Sequence, residues 1–188
     1  DDIGFLKAWG LARPATNEIV VGVIDTGIDP THPDLTNNLW INPGETPGNG
    51  MDDDGNGYTD DVHGYDFVLG TGALTDSGDH GTHVAGTVAA SGNNGIGVVG
   101  VDFQAHLVAL KVSSDGTSID SAAIIAALQY AAMMKTRGVN VVALNASYGG
   151  GSSSSTERSA IQAAGTAGIV FCAAAGNENA NNNITMQY

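Results

Sequence analysis

Four short runs rich in β-branched residues are the strongest constraint on the fold. They are Glu18–Ile24 (EIVVGVI), His106–Val112 (HLVALKV), Val139–Ala146 (VNVVALNA) and Gly168–Ala174 (GIVFCAA). Each is apolar almost throughout rather than alternating, the pattern of a strand covered on both faces. Between them lie segments of helical character: from about 80 to 91, Thr117 to Arg137, and Ser154 to about Ala167. Strands that alternate with helices predict an α/β fold, a three-layer open and mainly parallel sheet with helices on both faces. The 188 residues suffice for one domain with a large core, with roughly 70% of the extended surface buried at this size.

Local signals set the expected helix limits. Asp79 stands where an N-cap would precede His80, and Thr117 with Asp120 has capping-box spacing, as does Ser154 with Glu157. The long central helix carries a stripe of Ile124, Ile125, Leu128, Ala131 and Ala132, with Lys135 and Arg137 in its last turn and Gly138 just past it. Residues 29–64 read as loop, with Pro30, Pro33, Pro43 and Pro47 among glycines. Phe5, Leu6 and Trp9 are the expected packing anchors of a short first helix.

The formal charge of −14 excludes nucleic acid as a natural partner, because phosphate binding needs clustered lysine and arginine. No run approaches the ~18 apolar residues of a membrane span, and no charged-then-apolar leader opens the sequence. Cys172 is the lone cysteine, so no intrachain disulfide forms. Its apolar context predicts a buried thiol.

In open parallel sheets, ligands bind beyond the carboxyl ends of the strands. Asp25, Ser113, Ser147 and Asn177 each follow a strand at that edge, and His80 opens a helix there. These residue types suit acyl transfer: a histidine base, a carboxylate to orient it and an amide to hold an oxyanion. A nucleophile is harder to place. Ser147 lacks the G-x-S-x-G elbow, since Asn145 holds the first position, and Ser77 lies in a loop.

A second chemistry is written at Asp52-Asp53-Asp54-Gly55-Asn56-Gly57-Tyr58-Thr59-Asp60-Asp61. The first six positions fit D-x-D-x-N-G of a calcium loop, with Asp52, Asp54 and Asn56 giving side-chain oxygens, Tyr58 its carbonyl and Asp60 a direct or water-mediated contact. His63 rather than glutamate holds the twelfth position. The expectation is a Ca2+ loop without an EF-hand.

At three blocks the chain resembles the subtilisin-like serine protease (subtilase) family. They are Asp25-Thr26-Gly27-Ile28-Asp29 with His32-Pro33-Asp34-Leu35, then His80-Gly81-Thr82-His83-Val84-Ala85-Gly86-Thr87, then Ala173-Ala174-Ala175-Gly176-Asn177-Glu178. All fall in family order, across residues 18 to 178. The resemblance implies a triad aspartate at Asp25, a general base at His80 and an oxyanion-hole asparagine at Asn177. It implies that Ser113, Ser114, Asp115 and Gly116 pair with extended peptide substrate, and that Ser147, Tyr148 and Gly149 line the pocket before the scissile bond. It also implies a stronger calcium site from Asp34 and the 91–98 loop, with Asn94 giving a side-chain oxygen and Ile96 and Val98 their carbonyls. That loop is one residue longer than the usual form. Polypeptide substrates and secretion to the cell exterior are implied in the same way.

The departure concerns the nucleophile. The family's G-T-S-x-A/S motif follows the asparagine block, and the 188 residues contain no such motif there. Gly116-Thr117-Ser118 precedes that block and opens the long helix. The expectation is an N-terminal part of a catalytic domain whose serine comes from a complementary C-terminal segment. Two alternatives stand beside it. One is a calcium-binding, catalytically silent module of the same fold. The other is a zinc hydrolase using His80 and His83, which lacks the glutamate of H-E-x-x-H; His83 is expected inside the helix–sheet interface.

Overall fold

The computed structural model describes residues 4–11, 18–150, 153–179, 181 and 184. Five parallel strands form one sheet: β1 (Val20–Asp25), β2 (Gly64–Asp66), β3 (His106–Lys111), β4 (Val141–Ala146) and β5 (Val170–Ala173), in the order β2-β3-β1-β4-β5. The helices are α1 (Phe5–Leu11), α2 (His80–Ala89), α3 (Ser121–Thr136) and α4 (Ser155–Thr166). β1 lies between β3 and β4: the chain fills one side of it with β2 at the edge and β3 between, and then the other side with β4 and β5. The reversal places a crevice beyond the carboxyl end of β1, where Asp25 sits.

Strand periodicity divides the core between the two faces. Val20 and Ile24 of β1, Val108 and Leu110 of β3, and Val141 and Leu144 of β4 pack against α3 and α4. Val23 of β1 with Leu107 and Ala109 of β3 face α2, whose Ala85 and Ala89 are fully buried. Small residues bring α2 close to the chain below it. A Cβ at Gly81 would overlap the Gly27 carbonyl oxygen, so the turn after β1 and the first turn of α2 are in direct contact.

Several local signals act as expected. Ser154 Oγ accepts the Glu157 N–H at 3.2 Å, and Gly138 (φ 102°) follows α3 in the left-handed region. Trp9 packs edge-on against Phe103, while the Phe5 and Leu6 side chains lie outside the described residues. Other expectations are corrected. β2 begins at the last residue of the segment read as loop and runs two residues past it, where no strand is expected. α3 starts later, with Asp120 rather than Thr117 as N-cap, accepting the Ala123 N–H. Cys172 is exposed rather than buried, because β5 has no described strand on its outer edge and Val170 is 62% exposed.

Candidate active site

Asp25 ends β1 and is 2% exposed. Its Oδ1 meets His80 Nδ1 at 2.8 Å and also accepts the Thr26 N–H at 2.7 Å. The His80 side chain is 53% exposed. With Nδ1 engaged by the carboxylate, Nε2 is the ring atom left for a proton-transfer partner. A buried carboxylate behind a half-open imidazole is the orienting half of a histidine-base system.

α2 is not capped by Asp79, whose backbone is left-handed (φ 63°) and whose side chain makes no cap bond. The helix start is held by groups from elsewhere: Gly81 N–H donates to Thr26 Oγ1 at 2.9 Å and Thr82 N–H to Asp76 Oδ2 at 2.8 Å. Burial tends to raise the Asp76 carboxyl, but hydrogen bonds from Thr26, Thr82 and Gly78 outweigh it and hold the group below the ordinary range. His83 is exposed rather than enclosed in the helix–sheet interface. With Asp29, Asp34, Asp79, Val98 and Val99 it lines a cavity of about 880 Å³ alongside α2.

The expected substrate segments lie along the same sheet edge. Ser113 is 1% exposed, and its Oγ accepts the Gly116 N–H at 3.0 Å. Asp115 receives the Ser118 and Thr117 N–H groups, which hold its carboxyl far below the usual range. Ser114 is exposed, and Gly116 packs on Ser77 and Gly78, so the loop before α2 supports this strand end. Past β4, Ser147 Oγ accepts Asn145 Nδ2 at 2.8 Å rather than meeting a base. Tyr148 packs against the α3–α4 core with its hydroxyl buried, and Gly149 is exposed. Asn177 is exposed beyond β5, its backbone N–H donating to Glu178 Oε2.

The two expected cation sites differ in shape. Glu45, Asp52 and Asp54 each bring a carboxylate oxygen within 4.8 Å of the others. Glu45 was not singled out from sequence. It is 9% exposed and accepts the Asp53, Asp54 and Asp60 N–H groups, so it organises the loop as well as facing it. Asn56 turns its Oδ1 to the Tyr58 N–H and its amide to Asp61, while the Asp60 carboxylate takes the Asn49 and Gly50 N–H groups. The Asp60 carboxylate thus lies outside the three-carboxylate group, and Asn56 turns its amide N–H₂ to Asp54 as well. At the other site, Asp34 is 2% exposed, with Oδ1 accepting Asn94 Nδ2 and Oδ2 the Val98 N–H. Asn94 Oδ1 accepts the Ile96 N–H. Gly97 (φ 55°) lets the loop close on Asp34, whose carboxylate a Cβ there would overlap. Ser91 Oγ is buried without a hydrogen-bond partner. The three carboxylates of Glu45, Asp52 and Asp54 fit a hard divalent cation such as calcium, whereas at Asp34 N–H groups rather than the expected Asn94 and Val98 oxygens face the carboxylate.

The profile of the subtilase family (peptidase S8) matches residues 16–188. The chain belongs to the subtilase family. This subtilase is 34% identical over 163 residues to subtilisin of Bacillus sp. (strain TA39), covering 85% of this chain and 34% of that protein. It is 48% identical over 90 residues to subtilisin-like protease 1 of Plasmodium vivax, covering 47% of this chain and 14% of that one. Among solved structures it is similar to S41 psychrophilic protease (TM-score 0.70, 32% identity) and to sphericase (TM-score 0.71, 31% identity). Each match covers 94% of this chain and 53% of the other. The subtilase therefore spans about half the length of those solved relatives and a smaller part of the curated ones.

Proposed function

We propose that this subtilase chain supplies the Asp25–His80 half of a calcium-dependent, secreted serine endopeptidase. The observation that carries the reading is the 2.8 Å contact between buried Asp25 and half-exposed His80, at the strand edge where ligands of such sheets bind. His80 Nε2 takes the proton of a serine hydroxyl as that oxygen attacks the peptide carbonyl. Asp25 stabilises the imidazolium, which then protonates the leaving amine. Asn177 serves as side-chain donor to the oxyanion, a role whose loss typically costs ~10²–10³ in turnover. Residues 113–116 and 147–149 hold an extended polypeptide in place, the first by adding it as a strand.

The serine is assigned to a complementary C-terminal segment, a reading supported by the uncovered part of the sheet. On the face that α2 shares, Ala143 and Asn145 of β4 lie beside Val170 and Cys172 of β5 by register. The two β5 residues are exposed. An apolar strand edge and face of this kind call for further covering chain. Calcium binding rests on the oxygen sets at Asp34 and at Glu45–Asp52–Asp54; for Asn94 to give oxygen to a cation beside Asp34, its amide must turn over.

The test is cleavage of an unstructured polypeptide by the full-length protein and by its His80→Ala variant. Turnover that is lost in the variant, with calcium binding retained, supports the reading. Near-wild-type turnover in the variant overturns it. A wild-type protein that binds calcium and cleaves nothing is the catalytically silent module.

A further inference from the structure

Polar groups on both sides of the site, buried Thr26 among them, converge on a residue with no part in the chemistry. Asp76 lies in the loop before α2, and its two oxygens accept from four donors on three segments. Oδ1 takes the Thr26 hydroxyl at 2.6 Å and the Gly78 N–H at 3.1 Å. Oδ2 takes the Thr82 N–H at 2.8 Å and its hydroxyl at 2.6 Å. Thr26 immediately follows Asp25, and Thr82 stands two residues after His80. The Thr26 hydroxyl also accepts the Gly81 N–H at 2.9 Å, and Thr82 Oγ1 accepts the Asp29 N–H at 3.0 Å. The strand end that carries the carboxylate and the helix start that carries the imidazole are thus tied through one side chain 50 residues beyond the first of them in sequence.

We infer that Asp76 is a positioning residue, fixing the separation of Asp25 and His80 by clamping Thr26 to the first turn of α2. All four partners donate, so only an ionised carboxylate satisfies them together. Its negative charge also stands at a helix N-terminus, where free N–H groups favour an anion. Asparagine at this place would turn an amide N–H₂ toward one pair of donors. Backbone N–H groups cannot reverse their role, so one side of the clamp opens.

The inference rests on the protease reading, and two measurements keep the two separable. In the full-length protein, Thr26→Val removes the bridging hydroxyl without changing charge or volume, whereas Thr26→Ser keeps it. Asp76→Asn opens the clamp from the other side. The expected result is a fall in kcat of up to ~10²-fold for Thr26→Val and Asp76→Asn, with KM little changed. Thr26→Ser recovers most of it. The second readout needs no turnover: the NMR resonance of the His80 Nδ1 proton, held by Asp25, broadens or is lost in Thr26→Val and persists in Thr26→Ser. A merely structural role would lower the melting temperature and leave both readouts in place for the folded fraction, and that result overturns the inference. Should Asp76→Asn fail to fold, the Thr26 pair carries the test. A wild-type protein without turnover strikes the protease reading alone, and the resonance then decides on Asp76.

Discussion

Replacing Lys111 by methionine is the perturbation with the largest effect worked from this structure. Lys111 ends β3 beside Asp25, its register partner, and is 3% exposed. Its Nζ donates to the Thr75 carbonyl at 2.7 Å and lies 3.3 Å from Oδ2 of Asp66, which is fully buried. The contact with Asp66 is ionic rather than a hydrogen bond, since Oδ2 has no hydrogen-bond partner while Oδ1 accepts the Val68 and Leu69 N–H groups. At 3.3 Å and an effective dielectric of about 20, the attraction is about 5 kcal/mol before desolvation. Methionine fills the same space but leaves Asp66 as an uncompensated buried charge, so Lys111→Met costs about 3–5 kcal/mol. A change of this size takes at least about a fifth of a typical folding free energy of about 5–15 kcal/mol. It lowers Tm by roughly 6–20 °C at this chain length. Asp66→Asn keeps an acceptor for Val68 and Leu69 and removes the stranded charge, so the double variant is more stable than Lys111→Met alone. Urea unfolding of the wild type, both single variants and the double variant measures the coupling. A Lys111→Met cost under about 1 kcal/mol, or a double variant whose loss equals the sum of the singles, refutes a buried pair of this strength.

Three further outcomes are expected. Gly81→Ala destabilises by about 1–3 kcal/mol, because its methyl overlaps the Gly27 carbonyl. Gly86→Ala, in the same helix with open space around it, stabilises by up to about 1 kcal/mol; chemical denaturation reads the opposite signs. Chelation of a calcium-saturated sample lowers Tm, by the equivalent of about 2.7 kcal/mol where free ion stood a hundredfold above Kd. A Tm unmoved by chelator removes the structural role of the ion. For acid, the Asp76 carboxyl is lowered in the fold, so its contribution is present above the ordinary aspartate range near ~4 and is lost as pH falls through the lowered value. The cost of Asp76→Asn measured by urea unfolding is therefore larger at pH 6 than at pH 3, and a pH-independent cost contradicts the clamp's ionic character.

What the sequence disclosed follows from the range of the interactions involved. β1 and β3 were legible because their apolar runs are buried on both faces, β4 because its run is apolar although one face is only half covered, and the α4 cap because Ser154 and Glu157 are three residues apart. β2 was not, since Gly64-Tyr65-Asp66 is too short for any periodicity and, among the described strands, pairs with β3 alone. The α2 cap was misread for the opposite reason. Local spacing points to Asp79, but the donors are met by Thr26 and by Asp76, whose link spans 50 residues. Cys172 and His83 looked like interior residues by context, yet β5 has an open edge and His83 faces a cavity. Glu45 lies outside the acidic run that drew the calcium reading, and only folding brings it to Asp52 and Asp54. One clue was on the page: Lys111 inside an apolar strand signals a buried partner, which Asp66 provides.

The most direct test of a shared active site is labelling of the intact protein with a serine-directed fluorophosphonate, followed by mass mapping of the modified peptide. The account predicts a single modified serine outside these 188 residues, with labelling abolished by His80→Ala. A label on a serine within them, or labelling that survives the loss of His80, contradicts it.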